Sequence, residues 1–257
     1  MASALFARLL GDAEMAALMG DEAALSAMLR AEAALSRAQG RLGIIPKDAA
    51  AAIAKAAETL RPEPEGLAAG VARAGIAAQP VIGALKTAAG DHAAWVHFGA
   101  TSQDIVDTGL MIQLSQALAL LRSRLSGLAD LLAAKAREYA DLPIPAHTRF
   151  QIAAPTTLGA KIAIWRAPLS RQLQRLDELL PRLLNVSLYG AAGTSAALGP
   201  QHGKDRRLVA HQGRHLGIAE KAREQARNHQ AARRPSICRA CAKLATGRWY
   251  FSHSATA

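Results

Sequence analysis

Residues 102–140 constrain the fold of this chain more than any other stretch. Apolar side chains recur at Val106, Leu110, Leu114, Ala117, Leu121, Leu125, Leu128 and Leu132. The steps of 4, 4, 3, 4, 4, 3 and 4 make an eleven-residue pattern, whose period near 3.67 suits a nearly straight helix. The spacing predicts one helix from Ser102 to Ala140, roughly 58 Å long at 1.5 Å per residue. A rod of that length cannot bury its own seam, so it needs neighbouring helices, from this chain or from other subunits. Gly127, inside the pattern, costs about 1 kcal/mol relative to alanine.

The rest of the body repeats the theme. Helical spacing of Leu18, Leu25, Met28 and Leu35 predicts a helix from Asp12 to Gln39, ended by Gly40 and Gly43 with Pro46 beyond. An alanine-rich helix is expected from Lys47 to Leu60. Arg61-Pro62-Glu63-Pro64-Glu65-Gly66 is a break. A short helix follows, then one starting at Pro80 and running to Ala89, and a turn at Gly90-Asp91-His92. After the long helix, Pro143 and Pro145 stop the pattern. A loop over Thr148–Ala154 then leads to a second long helix from Pro155 or just after it. Its stripe is Leu158, Ile162, Trp165, Leu169, Leu173, Leu176, Leu180 and Leu183, with Pro168 expected to kink it. Few aromatic residues and few strand-like runs complete an all-α reading: a long-helix bundle with a small N-terminal helical domain.

Bulk properties narrow the function classes. The 257 residues suffice for one large domain or two small ones. No run reads as a membrane span, and the N-terminus, with Asp12, Glu14, Asp21 and Glu22 breaking its apolar pattern, does not read as a secretory signal. A cytoplasmic location is the expectation, and two cysteines make no disulfide framework. The net charge of +11 suggests nucleic acid, but its distribution argues otherwise. Up to Gly199 there are 19 Lys and Arg against 17 Asp and Glu; beyond it, 12 against 3. The excess belongs to residues 200–257, where apolar periodicity also ends. Cys238-Arg-Ala-Cys241, with His229 or His253, is at best half a zinc site. A basic arm contacting an acidic partner is the alternative reading of this tail, without the aromatic interleaving or motifs of nucleic-acid binders.

The chemistry-bearing stretch is His97-Phe98-Gly99-Ala100-Thr101-Ser102-Gln103-Asp104, which empties into the long helix. Gly99 permits a backbone that a side chain would block. Thr101 and Asp104 are spaced as a capping box. Ser102 sets a hydroxyl beside free N–H groups at a positive helix end, a place suited to a carboxylate or phosphate; an ordinary helix cap has the same spacing.

This segment, His-x-Gly-x-Thr-Ser-x-Asp-x-x-Asp-Thr from His97, resembles the first signature of the fumarase/aspartase superfamily. Thr148-Arg149-Phe150-Gln151-Ile152-Ala153-Ala154-Pro155 and Gly190-Ala191-Ala192-Gly193-Thr194 resemble its next two segments, in order. Histidine is usual in the second segment of adenylosuccinate and argininosuccinate lyases, where Arg149 and Ile152 stand here. Thr-Arg-x-Gln-x-Ala is most similar to the bacterial 3-carboxy-cis,cis-muconate cycloisomerases. The resemblance implies an N-terminal helical domain over 1–98, a central bundle over 99–199, a homotetramer, and active sites built from several subunits. It implies a small tricarboxylate substrate, with no cofactor and no metal. It implies that His97 is catalytic and that Thr101, Ser102, Thr148, Arg149, Gln151 and Thr194 bind substrate carboxylates, Arg149 by a two-pronged grip. A hydrogen-bonded structural role is the other reading of His97. The reaction implied is addition of a substrate carboxylate across its own double bond, with a general acid protonating the neighbouring carbon.

The resemblance covers roughly Met1 to Gly199 and then stops. The superfamily's Ser-Ser-x-Met-x-x-Lys-x-Asn-Pro loop, which carries the implied catalytic serine, has no match in residues 200–257. The expectation is that these residues are not native family sequence, as after a frameshift, and that the chain as written has little activity. An adenylosuccinate-type lyase releasing fumarate and a non-catalytic helical assembly protein are the competing readings.

Overall fold

The computed structural model describes residues 7–191 together with Gly193, Gly213 and Leu216. Helices α1 (Ala7–Leu10), α2 (Ala13–Met19), α3 (Asp21–Arg41), α4 (Lys47–Thr59), α5 (Pro64–Ala74) and α6 (Ala78–Ala89) come first. A 3₁₀ turn over Gly90–Trp95 leads to the long helix α7 (Ser102–Glu138). A hairpin of β1 (Pro143–Thr148) and β2 (Gln151–Thr157) follows, and α8 (Leu158–Leu183) returns along α7. The all-α, long-helix expectation holds.

Local chemistry sets most boundaries. Asp12 caps α2 by accepting the Met15 N–H at 3.0 Å, and Pro64 occupies the first turn of α5. Gly75, at φ 70°, ends α5 in the left-handed conformation that glycine adopts freely. The helix expected over Asp12–Gln39 is two helices. Gly20 is extended (φ −77°, ψ 176°), and Asp21 and Glu22 open α3 with negative charge at its positive end. Pro80 is the third residue of α6 rather than its start.

The loop expected over Thr148–Ala154 is instead the turn and second strand of an antiparallel ribbon. Pro143 faces Thr157 and Thr148 faces Gln151, with an irregularity between Pro145 and His147. Prolines are tolerated because a two-stranded ribbon has only edges. Thr157 accepts the Ala160 N–H at 3.1 Å, so α8 begins at Leu158, after Pro155. The base of the ribbon is locked where the Leu158 N–H meets the Leu142 carbonyl and the Gly159 N–H meets the Tyr139 carbonyl, both at 2.9 Å.

One hydrophobic core gathers Leu25, Leu29, Leu35, Ile53, Val81, Leu85, Ile105, Ile112 and Val186. It sits between α3, α4, α6 and the first third of α7. There α7 buries Ile105, Thr108, Gly109 and Ile112 rather than the seam predicted from sequence. Of that seam Ala117 is buried, while Leu110, Leu121 and Leu128 are exposed, Leu128 at 45 %. On α8, Ile162 and Leu176 are buried, but Trp165 is half exposed. The distal halves of both rods therefore carry apolar surface that the described residues do not cover. By length and composition α7 could cross a bilayer, contrary to the sequence expectation. In this fold it packs against α3 and α8 and carries Arg122, which grips Asp177 of α8 with two hydrogen bonds of 2.8 and 3.1 Å.

Candidate functional site

The start of α7 is built as expected. Gly99 takes φ 72°, and Thr101 and Asp104 form the capping box, with the Thr101 N–H donating to Asp104 Oδ2 at 3.0 Å. Ser102, half-buried, receives a hydrogen bond from Gln79 Nε2 at 3.1 Å.

Asp104 does more than cap. It is 2 % exposed. Its Oδ1 accepts the Tyr189 N–H at 2.9 Å and its Oδ2 the Gly190 N–H at 3.0 Å. One turn on, Thr108 Oγ1 accepts the Ser187 N–H at 3.1 Å and donates to the Ser187 carbonyl at 3.2 Å. These bonds bring the first and third sequence segments together and seat the turn at Gly190 (φ 69°) beside the helix start. Burial, then the charges of Asp104 and Asp107, pushes the Tyr189 phenol above its ordinary value of 10. Thr194 lies outside the described residues, as do Cys238, Cys241, His229 and His253.

His97 also sits at this end, in the left-handed region at φ 62°. Its Nδ1 is 2.6 Å from Oε1 of the fully buried Glu32. Gln39 donates to the Phe98 carbonyl at 2.6 Å. Glu32, Ser36 and Gln39 are a buried polar stripe on α3, at i, i+4 and i+7. Sequence reading missed this stripe. Its signal was three polar residues at helical spacing within an Ala/Leu-rich segment.

The second segment lies elsewhere. Arg149 (φ 45°) and Phe150 (φ 66°) form the ribbon's tip, and Thr148, Arg149 and Gln151 are all exposed. Along 37 residues, α7 separates Ser102 from the ribbon's base by about 55 Å. Even a ribbon about 20 Å long folded straight back leaves Arg149 roughly 35 Å short of Ser102. Within one copy, then, the helix start and the Gly190 turn share a surface, and the guanidinium does not.

The helix start, with its half-buried hydroxyls, and the Gly190 turn thus form one surface at the end of a pair of long rods, the frame of an all-α bundle. The chain matches the family model described as Lyase over residues 12–246 and belongs to that family, the fumarase/aspartase superfamily. The match runs to residue 246, past Gly199, where the resemblance was expected to stop. The chain is 47 % identical over 193 residues to a 3-carboxy-cis,cis-muconate cycloisomerase of Pseudomonas aeruginosa, covering 74 % of this chain and 42 % of that protein. It is 40 % identical over 192 residues to an adenylosuccinate lyase of Methanothermobacter thermautotrophicus, covering 74 % and 43 %. The crystal structure of a 3-carboxy-cis,cis-muconate lactonizing enzyme from Pseudomonas putida superposes with a TM-score of 0.78 at 39 % identity, over 84 % of this chain and 49 % of that one. The chain thus spans less than half the length of these relatives.

Proposed function

We propose that the protein is a 3-carboxy-cis,cis-muconate cycloisomerase, closing a tricarboxylate diene to its lactone without a metal or organic cofactor. The observation that carries the reading is the 47 % identity to the Pseudomonas aeruginosa cycloisomerase, joined to an arginine at position 149. A substrate with three carboxylates gives a guanidinium there a partner. In this reading Thr101 and Ser102 hold one carboxylate at the α7 start, and Thr194 contributes to binding it. Arg149, with Thr148 and Gln151 beside it, reaches the same substrate from another copy. His97 serves proton traffic. The uncovered apolar side chains of α7 and α8, among them Leu121, Leu128, Leu131, Ile164 and Trp165, support assembly into a homotetramer. The family match runs to residue 246; in this reading the reacting serine belongs to the family's Ser-Ser-x-Met loop, a signature that residues 200–257 do not carry.

The test is an assay of two proteins: the chain as written, and a version whose sequence after residue 199 is restored to the family's loop and remaining helices. Ultraviolet loss of the substrate diene reports lactonisation. The restored version is expected to consume 3-carboxy-cis,cis-muconate and leave adenylosuccinate untouched. Fumarate release from adenylosuccinate without lactonisation would replace this reading with the lyase alternative, favoured by the 40 % identical relative. Neither activity in a folded, restored tetramer would leave a non-catalytic assembly protein.

A further inference from the structure

Glu32 is 0 % exposed, and among the described residues its Oε2 has no hydrogen-bond partner. A carboxylate taken wholly out of water is costly unless it is paired. Its partner among the described residues is His97 Nδ1, at 2.6 Å. His97 is itself strained: a left-handed backbone at φ 62° is uncommon for a residue with a side chain. Two turns along the same face of α3, Gln39 pins the next peptide through the Phe98 carbonyl. So α3 fixes both the ring and the backbone of this segment. Among the described residues nothing bonds His97 Nε2.

We propose that Glu32 is a positioning residue for His97. Its carboxylate accepts the Nδ1 proton, holds the ring as the Nδ1–H tautomer, and leaves the Nε2 lone pair as the working atom. A ring nitrogen bound to a buried carboxylate fixes what the other nitrogen can do. When Nε2 takes up a proton the imidazolium faces Glu32 directly; when it gives that proton away the Nδ1 proton stays in place. The inference rests on the reading of His97 as a site residue.

The test is nitrogen-15 NMR of the full chain with labelled histidine in mildly alkaline buffer, His97 being assigned with a His97→Gln variant. The expected wild-type signature is a protonated Nδ1 and a bare Nε2. Glu32→Gln is expected to move it toward the Nε2–H form, and Gln39→Leu to leave it in place. Should Glu32→Gln fail to fold by circular dichroism, Glu32→Asp, which withdraws the carboxylate by one methylene, is expected to give a mixed signature. A protonated Nε2 and bare Nδ1 in the wild type, or a signature unmoved in the folded Glu32 variant, would overturn the proposal. In a version that turns substrate over, Glu32→Gln is expected to lower kcat on the order of 100-fold with KM nearly unchanged; an effect on KM alone would overturn it. Absence of turnover in the restored wild type refutes the cycloisomerase reading while the tautomer result stands. Turnover with an Nε2–H ring sinks the positioning role alone.

Discussion

Asp104 offers the sharpest test of how the site is held together. Its two oxygens accept three backbone N–H groups, from Thr101, Tyr189 and Gly190, at 2.9–3.0 Å. Replacement by asparagine keeps the shape and removes the charge. The one remaining oxygen can serve Thr101 and Gly190, as Oδ2 does now, which turns the amide NH₂ toward the Tyr189 N–H. A hydrogen bond to a charged group is then lost and a donor faces a donor. At about 1.5–3 kcal/mol for such a bond, Asp104→Asn is expected to cost about 2–3 kcal/mol. Asp104→Ala strands all three donors and removes the cap, which raises the loss to at least about 4 kcal/mol, a large part of a typical domain's 5–15. Urea denaturation with the slope unchanged gives the difference. Hydrogen exchange should show the Tyr189 amide losing protection in the asparagine variant. Asp107→Asn is the control, since Asp107 accepts only from Gln103 Nε2 among the described residues. An Asp104→Asn loss below about 0.5 kcal/mol, with Tyr189 still protected, would refute the argument that this carboxylate ties the Gly190 turn to the helix.

Three more outcomes are expected. Gly159 packs so tightly on the end of α7 that an added Cβ would meet the Ala136 carbonyl oxygen at 2.4 Å and the Ala140 Cα at 2.7 Å. Gly159→Ala should therefore destabilise the rod pair by about 1–3 kcal/mol in thermal melts. Hydrogen bonds from Arg124 hold the Asp12 carboxyl down to about 2, against an ordinary 3.8. A lowered folded value means that the ion pair's contribution is present above pH 3.8 and is lost as pH falls through about 2. The melting-temperature gap between wild type and Asp12→Asn should close over that window and narrow in salt. Arg149→Ala in the restored version is expected to lower kcat/KM at least tenfold, about 1.4 kcal/mol, with melts unchanged; unaltered kinetics would remove Arg149 from the site.

The long rods were legible in the sequence because their periodicity is local. Helix α7 ends at Glu138, where the pattern and Pro143 led one to expect an end near Ala140. Which face of α7 this chain would bury was not legible. Periodicity marks the apolar seam, but burial depends on where the neighbouring helices lie, and here Ile105 and Ile112 are covered rather than Leu110 and Leu121. The hairpin stayed hidden for a chemical reason. Pro143, Pro145 and Pro155 argue against strands, and the left-handed tip is made by Arg149 and Phe150 instead of the usual Asn-Gly. At the site, the Thr101–Asp104 cap was readable as a motif. The bonds from Asp104 to Tyr189 and Gly190 were not, because they join residues 85 and 86 positions apart.

The geometry of α7 has a consequence for any small acid that must touch both Ser102 and Arg149. Such a molecule bridges only a fraction of the gap that one copy leaves between them, so its binding pocket is the property of no single polypeptide. Blending two crippled forms, one without the Ser102 hydroxyl and one without the Arg149 guanidinium, would then regenerate some intact pockets. Dilution would silence the chemistry while each rod stayed folded.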